Sequence, residues 1–93
     1  MIHPRLADLE IRKRLSYNVA RHLAKRGMTR RQLAARSGLT INYIGKVLHR
    51  EMNVSLERLE LMAYALETTE SDLLKSIPRR RKKRSVTRLR GEI

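Results

Sequence analysis

The apolar positions of this chain recur at helical intervals along most of its length. Ile11, Leu15, Val19 and Leu23 step by four and place one apolar stripe on a first helix. Gly27 follows, a residue suited to the left-handed turn after a helix end. Upstream, Pro4 suits the first position of a helix, with Leu6 and Leu9 as its apolar pair. The spacing leaves open whether residues 4 to 26 form one helix or two. Thr29 is an N-cap residue for a short second helix that turns Leu33 and Ala34 inward and ends near Gly38. Thr40 caps a third, in which Ile44, Val47 and Leu48 share a face. Ser55 caps a fourth, with Leu56, Leu59, Met62, Ala63 and Leu66 at helical spacing. Arg58 stands there where a full capping box would carry Glu or Gln. A fifth helix is expected from about Ser71 to Ile77, presenting Leu73, Leu74 and Ile77 and cut off by Pro78. There is no internal repeat, and the pattern predicts an all-α fold of five helices.

Composition supports that reading. The 93 residues leave room for one domain with a modest core, and three Tyr with no Phe or Trp make that core almost wholly aliphatic. Four Gly and two Pro are too few for the turns of a small β-barrel. With no Cys, disulfides, thiolate zinc sites and thiol catalysis are excluded together. No apolar run approaches the ~18–20 residues that span a bilayer. The start, Met1 to Arg5, is not a secretory signal, so a cytoplasmic protein is expected. We divide the chain into an extension of the first helix (1–14), a domain (15–77) and a basic tail (78–93).

The net charge of +13 attracts polyanions, chiefly nucleic acid. Residues 1–77 carry 14 basic against 8 acidic side chains, a net of +6; residues 78–93 carry 8 against 1, a net of +7. Half of the excess therefore lies in the tail, where Arg79, Arg80, Arg81, Lys82, Lys83 and Arg84 form a block that cannot bury itself.

The corner between the second and third helices is only about three residues long, Gly38-Leu39-Thr40. Small residues occur where such a corner needs them. Ala34 lets the third helix cross closely, Gly38 supplies backbone freedom, and Leu39 plugs the turn while Ile44 and Val47 dock the third helix. At these residues the chain resembles the lambda-repressor-like (Xre/Cro) helix-turn-helix family. The resemblance runs from Met28-Thr-Arg-Arg-Gln-Leu-Ala-Ala-Arg-Ser-Gly-Leu-Thr-Ile-Asn-Tyr-Ile-Gly-Lys-Val-Leu48 through Val54-Ser-Leu-Glu-Arg-Leu-Glu-Leu-Met-Ala-Tyr-Ala-Leu66, about Leu15 to Leu74 in all. Val54 departs from the family's frequent Pro, and Leu48-His49-Arg50 from its frequent Glu-Asn-Gly.

The resemblance implies a five-helix domain that docks its third helix in the major groove of double-stranded DNA and crosses the backbone with its second. The wheel of the third helix agrees. With Ile44, Val47 and Leu48 inward, Asn42, Lys46 and His49 fall on the outer face at i, i+4 and i+7. Asn pairs bidentately with adenine and Lys donates to guanine, so Asn42 and Lys46 are expected to read bases, with Ile41 and Tyr43 making apolar contacts. Arg30 matches a position from which family members reach DNA. Arg31 and Arg50 are candidate phosphate ligands, and Thr40 combines capping with a possible phosphate contact. Gly45 admits two readings, close approach to DNA and helix packing.

His3, His22 and His49 have no ligand-like spacing to a carboxylate, and no catalytic triad, phosphate loop or carboxylate pair is apparent, so neither a metal, a cofactor nor an enzyme is expected. The expected function is a transcriptional regulator, a repressor that occludes a promoter as a homodimer on an inverted repeat, controlled by concentration, autorepression or a protein partner. Candidate dimer surfaces are Leu73, Leu74 and Ile77, or Ile2, Leu6 and Leu9. Two other classes stay open: an antitoxin-like module that binds a protein partner and autoregulates its operon, and an RNA-binding protein. The tail has three readings of its own: DNA contact, an RNA or acidic-protein contact, and a solvated aid to encounter.

Overall fold

A 17-residue helix, α1 (Glu10–Arg26), opens the computed structural model, which describes residues 9–78. It buries Leu15, Asn18, Val19, His22 and Leu23 along one stripe. Ile11, expected at the head of that stripe, is 47% exposed. The first turn of α1 precedes the packed part of the domain, and Ile11 instead lines an open apolar groove with Leu9, Leu15, Met52, Val54 and Leu56.

Four shorter helices follow: α2 (Arg30–Ser37), α3 (Ile41–Leu48), α4 (Leu56–Ala65) and α5 (Glu70–Leu73). Thr29, Thr40, Ser55 and Thr69 each accept a hydrogen bond from the backbone N–H three residues on, which satisfies one orphan donor at each helix start. At α2 the cap is reciprocal. The Thr29 hydroxyl accepts from the Gln32 N–H at 3.0 Å, and the Gln32 carboxamide oxygen accepts from the Thr29 N–H at 2.9 Å.

The C-terminal ends of α1, α3 and α4 close in one way. Met28, Glu51 and Thr68 donate their N–H groups five residues back to Leu23, Lys46 and Ala63, at 2.8–2.9 Å. The residue just before each donor has positive φ: Gly27 (62°), Arg50 (63°) and Glu67 (58°). Only the first is glycine. The other two hold a left-handed backbone with a side chain attached, which costs roughly 1–2 kcal/mol per residue.

Helix α1 packs on α3 and α5, α2 on α3 and α4, and α4 on α5. Val19, Leu33, Ile44, Met62, Leu66 and Leu73 meet in the centre with essentially no exposed surface. Fully burying each such side chain contributes about 1.5–3 kcal/mol. Leu56, expected to join them, is 81% exposed. It occupies the first position of α4, one turn before Leu59, where the helix borders the apolar groove and has not yet entered the core.

Helix α5 is shorter than the expected span of Ser71 to Ile77, and two features stop it. Pro78 has no N–H for the carbonyl of Leu74 and disfavours helical backbone at Ile77. The fully buried Asn18 carboxamide donates to the carbonyls of Leu73 and Lys75, both at 3.0 Å, in place of a continuing helix. A second tie lies one turn along α1. The Asp72 carboxylate accepts from His22 Nε2 at 2.6 Å and the Thr68 hydroxyl at 2.9 Å, with Lys75 at 3.1 Å and Arg21 at 3.7 Å. These partners, His22 foremost and then Lys75 and Thr68, hold the Asp72 carboxyl well below the usual carboxylate range. His22 Nδ1 faces Arg26 at 3.1 Å, an arrangement satisfied by the tautomer with its proton on Nε2. No described helix is long and apolar enough to cross a membrane.

Candidate nucleic-acid interface

The corner that carries the site is made by Gly38, whose φ of 78° ends α2 and turns the chain into Leu39. Its N–H donates to Ala34 at 2.9 Å, and the buried Ser37 hydroxyl bridges the carbonyl of Ala34 and the N–H of Leu39. Leu39 packs partly buried against the core. Ile44 and Val47 then hold α3 against α1 and α2, leaving the other side of α3 in solvent.

On that outer side Ile41, Asn42, Gly45, Lys46 and His49 line one open cleft together with Arg30 of α2 and Glu51 of the following loop. The arrangement brings together five of the residues expected to contact DNA: Arg30, Ile41, Asn42, Lys46 and His49. Gly45 forms the floor. A Cβ placed on it would lie 3.7 Å from Arg30 Nη1, an ordinary contact, so the glycine leaves room without being required by its backbone. Ile41 is 45% exposed, an apolar surface held out beside polar neighbours. His49 donates from Nδ1 to the carbonyl of Gly45 at 2.8 Å, which leaves Nε2 as the free ring atom.

Tyr43 is placed differently from the expectation. It is only 9% exposed, its hydroxyl is buried without a partner, and the Arg58 guanidinium lies 5.0 Å from its ring centroid. Positions 43, 44 and 47 share a face by the i, i+4 rule, so docking Ile44 and Val47 carries Tyr43 inward with them. Thr40 caps α3 through the Tyr43 N–H at 3.0 Å and borders a separate shallow cleft with Gly38, Leu39, Tyr43 and Arg58. Arg31 and Arg50 are exposed at opposite ends of the α2–α3 unit. Arg79, Arg80, Arg81, Lys82, Lys83 and Arg84 lie outside the described residues, as do Ile2 and Leu6.

Three contacts from α1 brace the far end of α3. The Ser16 hydroxyl donates to the carbonyl of Leu48 at 2.6 Å, and Arg12 donates to the carbonyl of Arg50 at 3.0 Å and to the Asn53 side chain. Neither Arg12 nor Ser16 is legible in the sequence as a support of α3, because their partners lie more than 30 residues away. Glu51 is not legible there either, since it lies beyond the end of α3 and outside its helical wheel.

A short helix crossing a second at a Gly corner, with polar and basic side chains on its free face, defines a helix-turn-helix DNA-binding protein. The profile of the Cro/C1-type HTH DNA-binding domain matches residues 18–79, and the chain belongs to that family. It is 38% identical over 66 residues to control protein C.SmaI of Serratia marcescens, spanning 71% of this chain and 79% of that protein. Its fold is similar to that of the hypothetical transcription factor NHTF from Neisseria, with a TM-score of 0.69 and 29% identity, covering 82% of this chain and 85% of the other. It is also similar to the restriction-modification controller protein C.AhdI from Aeromonas hydrophila, with a TM-score of 0.62 and 28% identity, covering 64% of this chain and 91% of the other. The protein is a DNA-binding transcription regulator of this family.

Proposed function

We propose that the protein is a repressor that binds an inverted-repeat operator as a homodimer and occludes a promoter. One observation carries the reading: Arg30, Ile41, Asn42, Lys46 and His49 line a single open cleft on the free face of α3. In this assignment α3 enters the major groove, Asn42 pairs with adenine, Lys46 donates to guanine, and Ile41 meets a thymine methyl group. Arg30 reaches the groove edge from α2, and Arg31 and Arg50 meet phosphates. Tyr43 serves the core and orients Arg58. The Thr40 side chain caps α3. A single α3 offers few base contacts, and a two-fold dimer doubles them across two half-sites.

The tail from Arg79 to Arg84 adds phosphate contacts beside the domain, so it supplies affinity more than specificity. The likeness to the controller proteins extends the reading to control of a restriction-modification gene set. A footprint on the DNA upstream of the protein's own gene tests the assignment. Symmetric protection over two half-sites about one helical turn apart is expected, and the absence of any preferred site would refute it. Removing residues 79–93 should flatten the dependence of log K on log salt, and an unchanged slope would take the tail off the DNA.

A further inference from the structure

Glu51 is the one carboxylate lining the cleft beside Arg30, Asn42, Lys46 and His49. Its placement is fixed from both sides. Its N–H donates to the carbonyl of Lys46 at 2.8 Å in the turn that ends α3, and Arg12 of α1 holds the preceding carbonyl, that of Arg50, at 3.0 Å. Every ion pair among the described residues uses Glu10 or Asp72, so Glu51 forms none with the described basic side chains that share its cleft.

A carboxylate on a DNA-facing surface is repelled by phosphates and has only acceptor atoms to offer. It repels the acceptor-bearing major-groove edges of guanine (N7, O6) and thymine (O4), and it is satisfied by an amino donor. Cytosine offers N4 alone, whereas adenine sets the acceptor N7 beside its N6 amino group, so cytosine is the better partner. We propose that Glu51 is a specificity-determining residue that selects a cytosine in each half-site, by accepting from its N4 amino group and by rejecting guanine and thymine there. The cleft thus reads with a donor, Lys46, an amide, Asn42, and an acceptor, Glu51. A site reads more selectively when one of its groups penalises the wrong partner.

The inference rests on the operator reading, and its experiment separates the two. Wild type, Glu51→Gln, Glu51→Ala and Lys46→Ala are each used to select from duplex DNA randomised around the footprinted site, and relative affinities are measured for single-base variants. For wild type, one position per half-site is expected to favour cytosine over guanine or thymine by roughly 5- to 100-fold, the range of one good base contact. Glu51→Ala should flatten that position alone, Glu51→Gln should lose the preference for cytosine there, and Lys46→Ala should flatten a different position. If Glu51→Ala instead tightens binding to all sequences by one common factor and leaves every base preference intact, the carboxylate acts only as bulk charge and the proposal is overturned. A wild-type protein with no base preference would overturn the operator reading and this inference with it. Preferences that depend on Lys46 but not on Glu51 overturn this inference alone.

Discussion

Replacing Arg50 by glycine should stabilise the protein and weaken its hold on DNA at once. Arg50 sits at φ 63° in the turn that closes α3, where the Arg50 N–H donates to Val47 at 3.0 Å and the Glu51 N–H to Lys46 at 2.8 Å. A side chain in that left-handed region costs about 1–2 kcal/mol. Glycine removes that strain but gives the unfolded chain more freedom, which takes back about 0.4–1 kcal/mol. Taking the middle of each range, the net gain for Arg50→Gly is about 0.8 kcal/mol. In a domain of this size that raises Tm by about 2–8 °C. If Arg50 meets a phosphate, the slope of log K against log salt falls by about 0.9. Glu67→Gly is the matched comparison, because Glu67 holds a φ of 58° in the same turn at the end of α4, away from the cleft. It should bring a similar gain in Tm with an unchanged salt slope. Thermal unfolding and a salt titration of operator binding measure both quantities. A drop in Tm for Arg50→Gly beside a rise for Glu67→Gly would refute the strain argument at α3. An unchanged slope would remove Arg50 from the phosphate contacts.

Asn18→Ala strips the carbonyls of Leu73 and Lys75 of their donor, and urea denaturation should show a loss of about 2–4 kcal/mol; a loss below 1 kcal/mol would mean that water replaces the amide. Because the Asp72 carboxyl is held below its ordinary range, its contribution is fully present above that range and fades as pH falls beneath about 4. Tm followed from pH 7 to pH 2 should therefore decline at the acid end, and Asp72→Asn should make that decline shallower. Gly45→Ala adds a Cβ that meets only Arg30 at 3.7 Å, so α3 should gain up to about 1 kcal/mol while operator affinity falls. Unchanged affinity would show that no base edge approaches the floor of the cleft.

The helix-turn-helix was legible because its geometry forces residue size. Ala34, Gly38, Leu39, Ile44 and Val47 must each be small, permissive or apolar at fixed spacing, and that combination is visible without coordinates. Helix starts were legible for a similar reason, since Thr29, Thr40 and Ser55 act on the backbone three residues away. The reciprocal cap at α2 was equally open to reading, as Thr29-Arg-Arg-Gln32 spells it out. Tyr43 is turned inward, and its i, i+4 relation to Val47 is the signal for that, although an aromatic residue beside Asn42 also looks like a DNA contact. Leu56 and Ile11 satisfy the helical period yet lie at helix starts, where periodicity says nothing about how far the core extends. The ties from Asn18 and His22 to α5 were illegible as contacts, because their partners lie 50 or more residues on. A signal was still present, in two polar residues placed between Leu15, Val19 and Leu23 on an otherwise apolar stripe.

That stripe has a consequence for motion. Arg12 and Ser16 hold the end of α3, while Asn18 and His22, further along the same helix, hold α5. The end of α3 and α5 thus converge on α1, and neither can open without disturbing it. The reading surface should therefore exchange its amide hydrogens as part of one cooperative unit and resist opening on its own. A surface of that kind arrives at DNA already ordered, so α2 and α3 add little ordering entropy to the cost of binding.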